Sequence, residues 1–500
     1  MPCRKVCGRF EDSMKKLSEL LEKIEYTHVS GPADADISAI VYDSRKDCTD
    51  ALFICISGTT VDAHKFIPQV IEKGAAAIVV EKEVPEYENV SVIRVPSARK
   101  ALSMISAAFF DYPTEKMVTI GYTGTKGKTT STYMLKTMLE AAGKKVGLIG
   151  TNGAVIGREH FETKNTTPES YELQRYFHEM AEQGCDAAIM EVSSQGLMMD
   201  RVAGITFDYG VFTNLSPDHI GKNEHASFEE YRYWKGTLFK QCRIGIVNAD
   251  DPETEALLDG HTCKICTYGI REEDYTASAI RPEKNGPFMG AAFELSGKAQ
   301  AHVKVGIPGV FNVYNALSAL AVTAEMGLLN ERTLDALKEI RVNGRMELVW
   351  SSDAFSVIVD YAHNGVSTRS LLKTLREYEP GRIVTVFGCG GNRDPHRRYE
   401  MGAAAGELSD LSIITADNSR NEAVENIMAD IHIGLDPTGG KSIDIPDRRE
   451  AIAYAIRNAQ HGDVIAIIGK GHETYQEVNG VRTHFSDREE AEAVIKELHK

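Results

Sequence analysis

The stretch "VTIGYTGTKGKTTSTYML", Val118 to Leu135, decides the reading of this chain. Its apolar opening, Val118 to Tyr122, predicts a buried strand. Gly124 and Gly127 then predict a tight turn, and Lys128-Thr129-Thr130 opens a helix-like pattern. Strand, glycine-rich turn and helix together build a cradle for phosphates. The glycines let backbone N–H groups approach anionic oxygens, and the helix start adds positive potential. The usual phosphate loop is G-x-x-x-x-G-K-[ST], and Tyr122 stands where its first glycine would fall. The remaining chemistry survives. Lys128 can bridge β and γ phosphates, and Thr129 offers a hydroxyl to Mg²⁺.

Downstream, the runs "KVGLIGT", "AAIMEVSS", "YGVFTNLS" and "IGIVNADD" alternate with helical stretches, which predicts a parallel sheet with helices on both faces. "FNVYNALSALAVTAEMG" reads as a helix, and "VNGRMELV" at 342–349 as a boundary. Upstream, Met14, Leu17, Leu20, Leu21 and Ile24 sit at helical spacing, and four short apolar runs follow. The first ~110 residues therefore read as a small α/β domain. "DYPTEK" at 111–116 is the expected linker, since Pro113 blocks helix continuation.

The C-terminal part repeats the α/β pattern. "FSVIVDYAHN", "RIVTVFGCGGNRD", "LSIITADNSR" and "DVIAIIGKGHE" each end in a polar cluster. Ligands of open α/β sheets bind outside the carboxyl ends of strands, so four such clusters predict one cleft. The expected fold is α/β with three domains: 1–112, 113–343 as a phosphate-loop parallel-sheet domain, and 344–500 as a Rossmann-like domain.

With 500 residues, 26% charged and 42% hydrophobic, the composition is that of a globular protein. A net charge of −16 argues against nucleic acid or an anionic membrane as partner. No apolar run approaches the roughly 18 residues of a membrane span, and "MPCRKVCGRFEDSMKKL" lacks the apolar core of a signal peptide. A cytoplasmic location with reduced thiols is expected. Cys263 and Cys266 form a lone C-x-x-C, too little for a structural zinc site.

Metal ligands are sought at other strand ends. Glu191 closes "AAIMEVSS", and "NLSPDHI" supplies Asp218 and His219. Mg²⁺ favours oxygen ligands and keeps waters, so one carboxylate with phosphates and hydroxyls suffices. His219 taken alone reads as a structural histidine, and Lys235, on a helical pattern, as a solvated lysine.

Taken together, "TGTKGKTT", "NTTPE", "EVSSQGL", "FTNLSPDH", "YRYWKGTLF", "NGRME", "DYAHN", "GCGGNRD", "DNSR" and "GKGHE" resemble the Mur ligase family in kind and order. The resemblance spans essentially the whole chain. "DSRK" at 43–46, followed by "ALFICISGTTVDAHKFI", narrows it to members adding the third peptide residue in peptidoglycan synthesis. It implies a ligase that joins a carboxylate to an amine with ATP and Mg²⁺, through an acyl phosphate. Its implied substrates are a UDP-N-acetylmuramoyl dipeptide and a diamino acid, and its implied state is a monomer.

The same resemblance implies residue roles. Gly124, Thr125, Lys126, Gly127, Lys128, Thr129 and Thr130 hold ATP phosphates. Lys128, Glu191, His219 and Lys235 are catalytic. Thr129, Glu191, His219 and Lys235, the last as a carbamate, form the metal site. Tyr42 and Ser44 contact uridine. Asn165, Thr166, Thr167, Ser193 and Arg201 contact the muramoyl peptide. Asn312, Asn315, Arg345, Asp360 and His363 lie near the nucleotide. Arg393, Asp417, Asn418, Ser419, Arg420, Gly469 and Glu473 form the pocket for the incoming amino acid.

Three residues depart from the family pattern: Lys126 for Asn, Gln195 for His, and Ser419 for the Pro of diaminopimelate-adding members. Diaminopimelate carries a distal carboxylate that an arginine fork matches. Lysine lacks that carboxylate, and an arginine facing its ammonium is repulsive. Arg393 and Arg420 therefore favour meso-diaminopimelate over L-lysine. Two rival readings are a folate polyglutamate or cyanophycin-type amide ligase, against which "DSRK" and "DNSR" argue, and an inactive nucleotide-binding regulator. Retention of Lys128, Thr129, Glu191, His219 and Lys235 argues against the latter.

Overall fold

The computed structural model describes residues 14–58, 61–221 and 224–498. Most of the segment read for a signal peptide lies outside them. The chain forms two compact units, Met1–Thr132 with Ala142–Thr267, and Tyr133–Ala141 with Tyr268–Lys500.

Among the described residues the first unit holds two main sheets and one two-stranded pairing. In the smaller, Ala39–Val41, Ala51–Ile54, Ala77–Val80 and Ser91–Arg94 run parallel, and Thr27–Ser30 adds an antiparallel edge. Both central strands are wholly buried, which is why they read as unbroken apolar runs. The expected helix from Met14 is shorter. Leu17–Leu21 is helical, whereas Lys15–Lys16 pairs antiparallel with Asp36–Ile37 and Met14 is exposed.

In the larger sheet, Val146–Gly150, Ala187–Glu191, Val118–Thr123, Phe207–Phe212 and Cys242–Asn248 lie side by side and parallel. The strand before the glycine turn, Val118–Thr123, is central, flanked by the strands that end in Glu191 and Phe212. The turns after these three strands therefore open at one end of the sheet.

The second unit holds an antiparallel set, Tyr275–Asn285, Phe288–Gly297 and Ala301–Val305. The expected helix is present as Val310–Glu325. Its other sheet runs Glu347–Ser351, Phe355–Asp360, Asp463–Ile468, Ile383–Phe387, Leu411–Ile414, Ser442–Asp444. All its pairings are parallel except the first. Asp463–Ile468 lies between two strands that come much earlier in the chain, so the order switches there. A crevice at such a switch, at the carboxyl ends, is where this architecture binds ligands.

Candidate active site

Gly124 and Gly127 both have positive φ, +145° and +86°. At Gly124 a Cβ would lie 2.0 Å from Thr213 Oγ1, so a side chain there collides with its neighbour. The loop is pinned from the adjacent strand end. The Thr125 N–H donates to the Asn214 carbonyl at 2.8 Å, and Thr213 Oγ1 donates to the Lys126 carbonyl at 2.7 Å. The Lys126 N–H donates to Asn214 Oδ1 at 3.0 Å, while the Lys126 side chain points to solvent. Lys128 Nζ reaches back to the carbonyls of Gly124, at 2.8 Å, and Thr125, at 3.2 Å.

Glu191 is buried next to this loop. Its carboxylate accepts from Thr129 Oγ1 at 2.9 Å, the Thr151 N–H at 3.0 Å and Thr151 Oγ1 at 3.2 Å. A carboxylate and two hydroxyls form an oxygen donor set suited to Mg²⁺ that shares phosphate and water ligands. Among the described residues no cluster of three His, Cys, Asp or Glu forms an all-protein cage.

Lys235 overturns its reading as a solvated lysine. It is only 2% exposed, on the Phe228–Gly236 helix, and its Nζ donates to the Gly124 carbonyl at 2.8 Å. It also sits 4.5 Å from the centre of the Tyr231 ring. Burial, then the charge of Lys128, push its ammonium well below the usual lysine range. His219 is exposed, with Nδ1 3.0 Å from Glu224 Oε1.

Thr167 and Ser193 meet: the Ser193 N–H donates to Thr167 Oγ1 at 2.9 Å, and Thr167 Oγ1 to the Glu191 carbonyl at 3.0 Å. Arg201 donates to the Thr167 carbonyl at 3.0 Å and pairs with Glu169 at 2.6 Å. Thr166 Oγ1 lies 3.1 Å from Thr151 Oγ1, and Asn165 is exposed. Tyr42 is held by Glu172, 2.5 Å from its hydroxyl, and the Ser44 carbonyl accepts from Lys73 at 2.6 Å.

In the second unit the four polar strand ends line one cavity of ≈ 180 Å³. Tyr361 and His363, Gly388 to Gly390 with Arg393, Asp417, Asn418 and Arg420, and Gly469 with Glu473 all face it. Ser419 is buried behind the lining, where Gly391 packs on its carbonyl. Asn418 Nδ2 donates to Glu473 Oε2 at 2.8 Å, and buried Lys470 bridges Asn418 Oδ1 and Glu473 Oε2 at 3.1 and 3.2 Å. Arg420 has φ +51° and donates from Nη1 to the Gly391 carbonyl at 2.5 Å. Its backbone is fixed by the Glu477 carbonyl at 3.0 Å and the Asn479 N–H at 2.6 Å. A cavity lined by Arg393, Arg397, Arg398 and Arg420 together with Asp394, Asp417 and Glu473 can pair with both ends of a zwitterion.

Asn312 and Asn315 are buried on the Val310–Glu325 helix. Asn312 Nδ2 donates to the Pro308 carbonyl at 2.6 Å, and Asn315 Nδ2 to Asn312 Oδ1 at 2.9 Å. Asp360 accepts the N–H groups of Met346 and Ala362 at 2.7 and 2.8 Å, and burial raises its carboxyl pKa. Tyr361 lies between His363 and His472, 4.8 and 4.9 Å between ring centres, with the Arg345 guanidinium 4.8 Å from its ring. His472 is pushed down to about 4 by burial and by Arg345.

Residues 36–110, 122–323 and 344–471 match, in turn, the Mur ligase family catalytic domain, the Mur ligase middle domain and the Mur ligase glutamate ligase domain. The chain belongs to the Mur ligase family. Members are ATP-dependent ligases, and so is this chain. UDP-N-acetylmuramoyl-L-alanyl-D-glutamate--2,6-diaminopimelate ligase 1 of Clostridium acetobutylicum is 42% identical over 489 residues, 97% of this chain and 100% of that protein. The ligase of that name without the numeral from Caldanaerobacter subterraneus is 40% identical over 487 residues, 97% and 100%. A solved structure under that same name superposes with TM-score 0.75 at 29% identity, covering 98% of this chain and all of that one.

Several residues of this Mur ligase escaped the sequence reading. Arg397 and Arg398 line the cavity from the His396–Leu408 helix, a stretch for which the sequence offers no motif. Arg398 is buried and pairs with Glu422 and Asp430 at 2.5 and 2.7 Å. Tyr231, whose hydroxyl lies 3.1 Å from Thr125 Oγ1, and His225, 2.8 Å from Ser194 Oγ, carry no local signal.

Proposed function

We propose that this Mur ligase joins meso-diaminopimelate to the D-glutamyl carboxylate of UDP-N-acetylmuramoyl-L-alanyl-D-glutamate, converting ATP to ADP and phosphate, in peptidoglycan synthesis. It works in the cytoplasm, as a monomer. The observation that carries the substrate is the cavity whose lining includes Arg393 and Arg420 as well as Asp417 and Glu473. A diamino diacid offers two carboxylates and two ammonium groups to such a lining. The names of the full-length relatives support the same choice. Among the described residues no helix is long and apolar enough to cross a membrane, which agrees with nucleotide substrates in solution.

The glutamyl carboxylate attacks the γ-phosphorus, ADP leaves, and the amine then displaces phosphate from the acyl carbon while losing a proton. Gly124 to Thr130 hold the phosphates, and Lys128 neutralises charge on the transferring group. Thr129, Glu191, His219 and carbamylated Lys235 would hold Mg²⁺, which when bound offsets phosphate charge. Tyr42 and Ser44 contact uridine, and Asn165, Thr166, Thr167, Ser193 and Arg201 the peptide. Asn312, Asn315, Arg345, Asp360 and His363 serve the nucleotide.

Phosphate release with ATP and the UDP-muramoyl dipeptide, as each amino acid is added in turn, tests this. Stimulation by meso-diaminopimelate supports it. Stimulation by L-lysine alone, or by glutamate on a folate, overturns it.

A further inference from the structure

Arg448 and Asp487 form an ion pair with both side chains fully buried. Nε and Nη2 of Arg448 donate to Oδ1 and Oδ2 of Asp487, each at 2.7 Å. The same guanidinium has two more partners. Nη2 donates to the Ile468 carbonyl at 2.9 Å, and Nη1 to the Ala416 carbonyl at 3.2 Å.

Those carbonyls belong to the residues immediately before Gly469 and Asp417, and both of these line the amino-acid cavity. The two segments are already in tight contact. Gly469 has φ +112°, and a Cβ there would lie 2.7 Å from Asp417 Oδ2. One side chain thus fixes the spacing of two strand ends that carry pocket groups.

Stability alone does not account for this arginine. Arg448 opens the Arg448–Arg457 helix, where the backbone presents positive potential and a cation is disfavoured. Removing two charges from water is costly, and apolar residues of similar volume often replace such a pair without loss. What an apolar pair cannot do is donate to the Ala416 and Ile468 carbonyls. We infer that Arg448, held by Asp487, is a positioning residue for the incoming amino acid: it sets the distance between the Asp417–Arg420 and Gly469–Glu473 segments. The inference rests on the proposed use of this cavity for the diamino acid.

The test compares wild type, Arg448→Lys, and the paired variant Arg448→Met with Asp487→Leu. KM for meso-diaminopimelate and for ATP is measured with thermal midpoints and amide hydrogen exchange. The paired variant should melt cooperatively, with KM for the amine raised roughly ten- to hundredfold and KM for ATP within about twofold. Exchange at the Gly469 amide, which donates to the Asp360 carbonyl, should quicken. Arg448→Lys keeps the charge without the fork and should fall between. A folded paired variant with wild-type amine KM overturns the inference, as does an equal rise in both KM values. Failure of both variants to fold assigns the pair to structure alone and also overturns it. Amine-stimulated release by wild type tests the substrate reading separately, and the exchange comparison does not depend on it.

Discussion

Lys128 and Lys235 donate to one oxygen, the Gly124 carbonyl, each at 2.8 Å. Two ammonium groups on a single acceptor repel each other, and the buried one yields. Burial first, and Lys128 second, favour the neutral form of Lys235. A neutral amine can attack CO₂, giving a carbamate and a proton. The anion formed would then attract Lys128 and a divalent cation.

Lys235→Ala should lose at least about 10²–10³ in kcat. Short carboxylates should restore part of it by filling the vacated space beside the loop. Full activity without rescue would return Lys235 to a packing role.

Lys128→Ala should keep the fold, because the chain around it is held by Thr213 and Asn214. With Lys128 in its proposed role, its removal should cost about 3–4 kcal/mol, or 10²–10³ in rate. Near-normal turnover in a phosphate-release assay would remove Lys128 from the mechanism.

How much of this was legible varies by residue. The strand, glycine turn and helix of Val118 to Leu135 were legible because their determinants, Gly124, Gly127 and Lys128, are local. The cavity was legible as four polar clusters, since each strand end is marked by its own neighbours in sequence. The burial of Lys235 was not, because the carbonyl its ammonium donates to, on Gly124, lies 111 residues away. Arg448 and Asp487 are 39 residues apart, each at the start of an ordinary amphipathic helix, so neither betrays its partner. The helix expected from Met14 is cut short because strand pairing with Asp36–Ile37 takes the backbone of Lys15 and Lys16.

His472 gives a pH signature. Its folded pKa, about 4, lies below its ordinary value of 6.5. The unfolded chain therefore binds the extra proton between those values, and stability falls as pH drops from 6.5 towards 4. Above 6.5 the contribution is fully present. The change is on the order of 3 kcal/mol. His472→Gln should flatten urea-midpoint curves over this window, and an unchanged slope would place the titration elsewhere.

Arg420→Ala should weaken use of meso-diaminopimelate far more than use of lysine. A charge-assisted pair with the distal carboxylate contributes roughly 1.5–3 kcal/mol, a ten- to hundredfold preference. The ratio of kcat/KM for the two amines measures this. An unchanged ratio would move selection to Arg393 or Glu473.

The most direct measurement is kcat/KM of the wild-type protein for meso-diaminopimelate and for L-lysine, read as phosphate release with ATP, Mg²⁺ and UDP-N-acetylmuramoyl-L-alanyl-D-glutamate. Arg393 and Arg420, among the arginines lining the cavity, predict a preference for meso-diaminopimelate of at least about tenfold. A preference for lysine, or release that no diamino acid stimulates, would contradict the account.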